Sequence, residues 1–186
     1  CNEDAYEILC DRQPQFYYPP DYKFNYCNTN YFLLAHILEK VLELPFEAIM
    51  AELVFEPLGM SRTFIYSNMD YLHLKDIAMG SNAYGRPKAD FYLNGVSGDK
   101  GVFSTTKDLY RFHKALLNAE LLMPFLVEKM YEPHSRFNSR GKSYGYGFRL
   151  EKRKGGRVIY HQGWWRGYRS YFYHFPDKKA CVIALS

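Results

Sequence analysis

The sequence predicts an α+β fold in which helices flank an antiparallel β-sheet. Residues from about 1–143 carry helix-like spacing of apolar residues, interrupted by loops that contain proline and glycine. Residues from about 144–186 change to short strand-like runs that end at glycines or at Pro-Asp. A chain of 186 residues can form one sizeable core, and no internal repeat interrupts it. We therefore expect a single domain over 1–186.

Three helices are predicted near the beginning of the chain. Residues 3–11 form a short helix whose acidic first turn suits the helix dipole. After a proline-rich loop, Asn28 or Thr29 caps a second helix with apolar residues three and four positions apart. Pro45 lies in the first turn of a third helix, which ends before Pro57.

The middle of the chain is less regular. Residues 61–99 show weak periodicity and several glycines, which is typical of a long loop around a cleft. Ser104 is then predicted to cap a helix that runs to about Asn118, and Pro124 to begin another short helix.

Four strands are predicted at the end of the chain, over 144–150, 156–161, 168–175 and 179–185. Pro176-Asp177 forms the corner of the last hairpin. Consecutive short strands of this kind form an antiparallel meander, with helices packed on one or both of its faces.

Composition argues against several classes of protein. The net charge of +4 is mild, and the basic cluster around 149–157 contains Gly155-Gly156, which is typical of a solvated hairpin turn. We therefore expect no nucleic-acid partner. The four cysteines lack metal-ligand spacing, and no metal or organic cofactor is implied. No apolar stretch reaches the roughly 18 residues that span a bilayer.

Cys1 has two interpretations. It is either the acylated cysteine of a bacterial lipoprotein or the point at which a longer chain has been cut. The second interpretation is favoured, because residues 2–6 resemble the start of a helix and not a flexible tether.

Two short motifs lie far apart in the chain, Tyr26-Cys27-Asn28 before an apolar helix and His161-Gln162-Gly163-Trp164 between two strand-like runs. Three further segments accompany them: Phe55-Glu56-Pro57-Leu58-Gly59-Met60, Gly98-Asp99-Lys100-Gly101-Val102-Phe103-Ser104-Thr105 and Tyr144-Gly145-Tyr146-Gly147. In this order the set resembles the serine β-lactamase and penicillin-binding-protein superfamily. The likeness is to its class C β-lactamase-like branch, which includes DD-peptidases and esterases, and it covers nearly the whole chain.

The resemblance implies a role for both ends of the first motif. Tyr26 is expected to be the acid/base that takes the proton of a serine nucleophile and returns it to the leaving group. Asn28 is expected to bind the amide carbonyl of the substrate. Without the surrounding match, Tyr26 reads as an ordinary surface tyrosine and Asn28 as a helix cap.

The resemblance also implies roles for the second motif. His161 is expected to support the tyrosine and the substrate carboxylate, either as a cation or as a hydrogen-bonding group. Gly163 lets the substrate backbone approach the strand closely. The backbone amide of Trp164 is expected to donate to the oxyanion. The alternative for His161 is a hydrogen-bonded strand histidine without a catalytic role.

The family's nucleophile motif, Ser-x-x-Lys, is expected before Tyr26, but no serine lies there. Three matches to Ser-x-x-Lys begin later, at Ser97, Ser104 and Ser139. Only Ser104 opens a predicted helix, and a role as helix cap explains it. The resemblance therefore implies an incomplete β-lactamase-like domain whose nucleophile lies outside these residues.

The function that the resemblance implies is that of a serine hydrolase. It would act through an acyl-enzyme on a β-lactam, a D-amino-acid peptide or an ester, so the partner is a small-molecule or peptide substrate. We expect this chain alone to be inactive. An exposed sheet edge or core face favours homo-oligomers. The family implies a periplasmic, membrane-anchored or secreted location.

Two other interpretations stay open. A non-catalytic binding or scaffold protein could keep the fold without the nucleophile, and a parent gene without an upstream Ser-x-x-Lys would favour it. An unrelated α+β binding module could match the motifs by chance, in which case Tyr26 and His161 would not share a site.

Overall fold

A computed structural model describes residues 1–66, 77–88, 91, 93–136, 138 and 140–186. The chain divides into two compact units. The first comprises Cys1–Ile77 and Ala89–Asp108, and the second comprises Ala78–Lys88 and Leu109–Ser186. The expected single-domain organisation over 1–186 stays a prediction.

Helices dominate the first unit. They are α1 (Asn2–Arg12), α2 (Asn28–Leu42) and α3 (Phe46–Met50), which continues into a π-helical turn over Ala51–Phe55. The three predicted helices are thus confirmed, but the predicted cap of α2 is wrong. Cys27 is the N-cap residue, with an extended backbone (φ −139°, ψ 116°), and no side chain makes the capping hydrogen bond. Asn28 is already helical, so its side chain is not in the capping position.

A buried polar contact ties α1 to the rest of the first unit. Asn2 is 3% exposed, and its Nδ2 donates to Glu39 Oε2 (3.1 Å) and to Ser97 Oγ (3.2 Å). The N–H of Ser97 donates in return to Asn2 Oδ1 at 2.9 Å. Because buried polar groups are costly unless they are hydrogen-bonded, these contacts specify where α1 and the segment at Ser97 meet α2.

Two short strands lie in or beside the stretch that was predicted to be irregular. β1 (Phe64–Ile65) pairs antiparallel with β2 (Val102–Phe103). The ladder joins the two ends of the stretch predicted to be a long loop, of which residues 67–76, 89, 90 and 92 lie outside the described residues. Because β2 belongs to the chain well beyond β1, the pairing joins residues that sequence periodicity cannot relate.

Asp108 forms hydrogen bonds with the two residues that precede β1. Its carboxylate accepts hydrogen bonds from the Arg62 N–H (2.9 Å) and from Thr63 Oγ1 (3.0 Å), and Thr63 is also bonded to Ser104 Oγ at 2.7 Å. The prediction that Ser104 caps the following helix is therefore wrong. Thr105 does so, because its Oγ1 accepts the N–H of Asp108 at 3.2 Å.

The second unit is built on a five-stranded antiparallel sheet. The strands follow chain order across the sheet, and they are β3 (Lys142–Tyr144), β4 (Arg149–Arg153), β5 (Gly156–Trp165), β6 (Tyr168–Phe175) and β7 (Ala180–Leu185). A turn of 3₁₀ helix over Pro176–Lys178 makes the predicted corner before β7.

Two of the predicted strand boundaries are wrong. The run 144–150 is not one strand, because the chain leaves the sheet after Tyr144 and returns at Arg149. Gly147 has a φ of 76°, which breaks an extended strand, and a side chain at Gly145 would overlap the Met130 carbonyl oxygen. The second difference is that β5 continues to Trp165 and so contains the whole second motif.

Two helices accompany the sheet, α4 (Thr106–Leu117) and α5 (Pro124–Met130). From α4, the His113 ring contacts Phe172 and His174 of β6 at centroid distances of 5.7 and 4.9 Å. The ring centroid of Tyr131, the residue directly after α5, lies 6.1 Å from that of His174. An antiparallel sheet flanked by helices was the predicted α+β class, and it is confirmed.

Candidate active site

The first motif lies where the chain enters α2. Tyr26 is 40% exposed and precedes the extended Cys27 by one residue. Asn28 is exposed in the first turn of the helix. The interpretation of Asn28 as a helix cap is therefore excluded, whereas an exposed Tyr26 is compatible with both a surface role and a catalytic one.

The helix that carries this motif is held from two sides. At its C-terminal end, Glu39 accepts hydrogen bonds from Asn2 Nδ2 and from the Phe46 N–H at 3.1 Å each. Near its N-terminal end, Gly98 (φ 104°) approaches so closely that a Cβ would overlap Ala35 Cβ and the Tyr31 carbonyl oxygen. Only glycine permits both that backbone conformation and that contact. These contacts fix α2 and thus the position of Asn28 within the first unit.

The second motif lies inside β5, and β6 pairs with it residue by residue. His161 faces Phe172, Gly163 faces Ser170, and Trp164 faces Arg169. On the other side, β4 pairs with β5 only as far as Tyr160. β5 thus continues past the end of β4 through the motif. A strand that outruns its neighbour is where an extended peptide can add to a sheet.

His161 is expected to be neutral at pH 7. Burial lowers the pKa of its imidazole, and the nearby positive charge of Arg149 lowers the pKa further. A neutral ring can donate one hydrogen bond and accept another, but it cannot act as a cation. Of the two roles implied for His161, the geometry therefore favours the hydrogen-bonding one.

Gly163 has a structural reason to be glycine. A Cβ at this position would overlap Ser170 Oγ on the neighbouring strand. The hydroxyl can rotate away, because Ser170 Cβ would be at an ordinary 3.6 Å. Packing within the sheet therefore disfavours a side chain here but does not forbid one, and a functional reason can act in addition.

The side chain of Trp164 does not belong to the core of the sheet. It is 71% exposed, and the Arg169 guanidinium carbon lies 4.1 Å above the ring. This cation–π contact orients the indole on the surface. The implied catalytic role of Trp164 concerns its backbone N–H, which this arrangement of the side chain does not restrict.

Two serines of the Ser-x-x-Lys matches, Ser97 and Ser104, make hydrogen bonds within the first unit. Ser97 is buried and bonded to Asn2, and Ser104 is bonded to Thr63. The Lys100 ammonium binds the Asp99 carboxylate at 2.9 Å. Ser139 lies outside the described residues. The contacts of Ser97 and Ser104 agree with the prediction that neither is the nucleophile.

Several neighbours of the motifs were not anticipated from the sequence. They are Glu39, Arg149, Arg169 and the segment Ala78–Lys88, which reaches the turn between β5 and β6. Side chains at Gly80 or Gly167 would overlap the backbone across that contact. Gly80 and Gly167 are the only sign of this contact in the sequence, and the structure is needed to show that they lie against each other's segments.

Within the described ranges, no group of three or more His, Cys, Asp or Glu side chains could hold a metal ion. All four cysteines have free thiols. No helix of the described chain is long and apolar enough to cross a membrane.

Comparison with known proteins gives one family. The family profile described as Beta-lactamase matches residues 3–186. Penicillin-binding protein 4* of Bacillus subtilis is 29% identical over 201 residues, covering 100% of this chain and 44% of the relative. A D-aminopeptidase of Cereibacter sphaeroides is 27% identical over 188 residues, covering 98% of this chain and 35% of the relative. The chain thus spans less than half the length of these relatives.

A solved structure agrees with the sequence comparison. The octameric penicillin-binding protein homologue from Pyrococcus abyssi superimposes with a TM-score of 0.83 and 27% sequence identity. The match covers 100% of this chain and 43% of that one.

Proposed function

The chain belongs to the beta-lactamase family, and from this we propose that it is part of a serine hydrolase whose nucleophile lies outside these residues. The matching relatives include a D-aminopeptidase and penicillin-binding proteins, which supports a hydrolase acting on peptides or amides of D-amino acids. A β-lactam or an ester is a further substrate within the same acyl-transfer chemistry.

Tyr26 carries the proton in the proposed reaction. The serine hydroxyl oxygen attacks the substrate carbonyl carbon while the Tyr26 oxygen accepts the serine proton. The C–N bond of the tetrahedral intermediate then breaks, and Tyr26 returns the proton to the departing amine. Water then attacks the resulting ester while Tyr26 accepts its proton. The bond between the acyl carbon and the serine oxygen breaks, Tyr26 returns the proton to that oxygen, and the acid leaves.

The other motif residues bind and polarise the substrate. The Trp164 N–H donates to the developing oxyanion, together with the amide of the nucleophile. Asn28 holds the amide carbonyl, and the neutral His161 offers a hydrogen bond to the substrate. Gly163 leaves room for the substrate backbone along β5. The observation that carries this proposal is that β5 extends past β4 through the motif.

The test is covalent labelling of the parent chain, extended upstream of Cys1. The folded parent is treated with a fluorescent penicillin and separately with a fluorophosphonate probe, and the labelled peptide is mapped. We expect a labelled serine upstream of Cys1, in a Ser-x-x-Lys sequence. A label on Ser104 would contradict the motif order, and absence of label on a well-folded parent would favour the binding-protein alternative.

We also propose self-association and an extracytoplasmic location. β7 pairs only with β6 among the described strands, and its six residues carry neither charge nor proline. Such an edge readily accepts another strand. The octameric state of the Pyrococcus abyssi homologue is compatible with a homo-oligomer. The periplasmic, membrane-anchored or secreted location rests on family resemblance.

A further inference from the structure

Two histidines meet inside the second unit. His113 of α4 is 3% exposed and His174 of β6 is 4% exposed. Their ring centroids lie 4.9 Å apart at an interplanar angle of 60°. Phe172 flanks the pair at 5.7 Å from His113. The contact between α4 and β6 thus passes through two imidazoles that meet edge to face in an aromatic cluster.

A charged imidazole finds little compensation in this pair, because a backbone hydrogen bond with Ala180 raises the pKa of His174 but burial outweighs it. The Nδ1 atoms of both rings are buried without a hydrogen-bond partner in the described part of the chain. Hydrogen bonds or a counterion normally satisfy such a buried atom. Every proton added here would therefore create an unsatisfied buried cation beside a second imidazole.

The titratable groups around the pair do not offer compensation. Tyr110 of α4, Tyr131 after α5, Arg157 of β5 and Cys181 of β7 face it. Burial raises the pKa of Tyr131 to about 12 and also raises the pKa of the Cys181 thiol, so both stay neutral. Arg157 repels a second positive charge. Among the described groups that shift either histidine's pKa, none is a carboxylate.

We propose that His113 and His174 form an acid-sensitive latch, which holds α4 on β6 while both rings are neutral. A proton on either ring places a cation in the aromatic cluster against the other ring, and a proton on His174 is also repelled by Arg157. The least costly response is for α4 to separate locally from β6, because water then solvates the charged ring. The latch is independent of the proposed hydrolase activity.

The direction of the pH effect follows from burial. Burial lowers the pKa of His113, and burial followed by repulsion from His113 lowers the pKa of His174 to about 4. An unfolded histidine titrates near 6.5. The stabilising contact is therefore fully present above pH 6.5 and is lost as the pH falls towards 4.

The test combines hydrogen–deuterium exchange with histidine titration by NMR, both on the 186-residue chain. Between pH 7 and 4.5 we expect amides of α4 and β6 to lose about tenfold or more of their protection, after correction for intrinsic exchange. The double variant His113→Phe/His174→Phe should lose this pH dependence. His134→Gln is the matched control, since His134 is exposed, and it should behave as the unmodified chain.

Three results would overturn the latch. One is unchanged protection of α4 and β6 at pH 4.5, and another is an equal loss in α1 and α2, which indicates general acid unfolding. The third is that His113 and His174 of the unmodified chain both titrate near pH 6.5 while the amides of α4 stay protected from exchange. This result needs no variant, so it decides the question even if the double variant does not fold.

Discussion

Gly163 shows how a residue in a functional motif can serve two purposes. Its missing side chain avoids Ser170 Oγ within the sheet, and in the proposed site it also admits the substrate backbone. Conformational freedom is not the reason, since Gly163 is absent from the positive-φ glycines. The two remaining reasons concern different neighbours, so they can be separated by substitution.

The first prediction separates them. In the parent enzyme, Gly163→Ala should lower the free energy of unfolding by about 1 kcal/mol, because the new methyl group meets the Ser170 hydroxyl. Gly163→Ala/Ser170→Ala should recover that stability in urea unfolding. If Gly163 also admits substrate, the kcat/KM of this double variant for a D-amino-acid amide should stay about tenfold or more below the kcat/KM of the Ser170→Ala control. Full recovery of kcat/KM in the double variant would leave Gly163 with a packing role only.

His161 and Trp164 differ in what their neighbours permit. Burial and Arg149 keep the imidazole neutral, so His161 suits a hydrogen-bonding role. Arg169 covers the indole of Trp164, so that ring is held at the surface. Both effects depend on which residue faces which across β4, β5 and β6, and a single motif cannot reveal that register.

At the scale of elements, β7 is an edge strand of the described sheet. Val182 is 54% exposed at its centre, and β6 is the only described strand that pairs with it. Protected sheet edges usually carry a lysine, a proline or a bulge. β7 has none of these, so it is a surface for strand addition.

The second prediction concerns this edge. Val182→Lys should reduce self-association of the chain, because a charge at the centre of β7 disfavours pairing with another strand. The measurement is mass by light scattering during size-exclusion chromatography over a range of concentrations. Val102→Lys is the matched control, since Val102 is 52% exposed but belongs to β2. An equal reduction in both variants, or none in Val182→Lys, would argue against β7 as the contact.

Elements differed in how well the sequence predicted them. The helix α2 and the strand β6 have clear periodic patterns, and their existence was predicted correctly. β5 was predicted to end at His161 but continues to Trp165, because pairing with β6 sustains it through a glycine. The short β1 and β2 were missed, since each has two residues and pairs with a strand far away in the sequence.

For the whole molecule, the family assignment and the proposed location of the nucleophile outside these residues lead to one expectation. This chain holds the residues that match the acid/base and substrate-binding motifs, and it spans under half of the relatives it matches. In the proposed mechanism, Tyr26 as general base and Trp164 as oxyanion donor cannot form an acyl-enzyme without the nucleophile. Catalysis is therefore expected of the parent chain only.

The third prediction tests the acid/base in that parent. Tyr26→Phe should lower the acylation rate by about 10²–10⁴-fold, because the phenyl ring cannot accept the serine proton. Burst kinetics with a chromogenic ester or β-lactam report the acylation step. Tyr22→Phe is the control, since Tyr22 is 73% exposed four residues earlier. Equal rates for both variants and the unmodified parent would remove Tyr26 from the mechanism.

The sequence by itself determined the α+β class, the family and the residues that match its motifs. These depend on local patterns, on the periodicity of apolar residues and on short combinations such as Tyr26-Cys27-Asn28, which are readable without contacts. The wrong cap positions and strand ends have one cause. A cap or a strand end depends on hydrogen bonds to residues elsewhere, as Ser104, which is bonded to Thr63, and β5, which is paired with β6, illustrate.

Only the tertiary structure decided the environments of individual side chains. Ser170 restricts Gly163, Arg149 lowers the pKa of His161, and His113 meets His174 across 61 positions of the chain. Burial and electrostatic shifts depend on distance in space, whereas a sequence records only distance along the chain. For that reason the motifs could be found in the sequence, but the protonation state of His161 and the buried histidine pair could not.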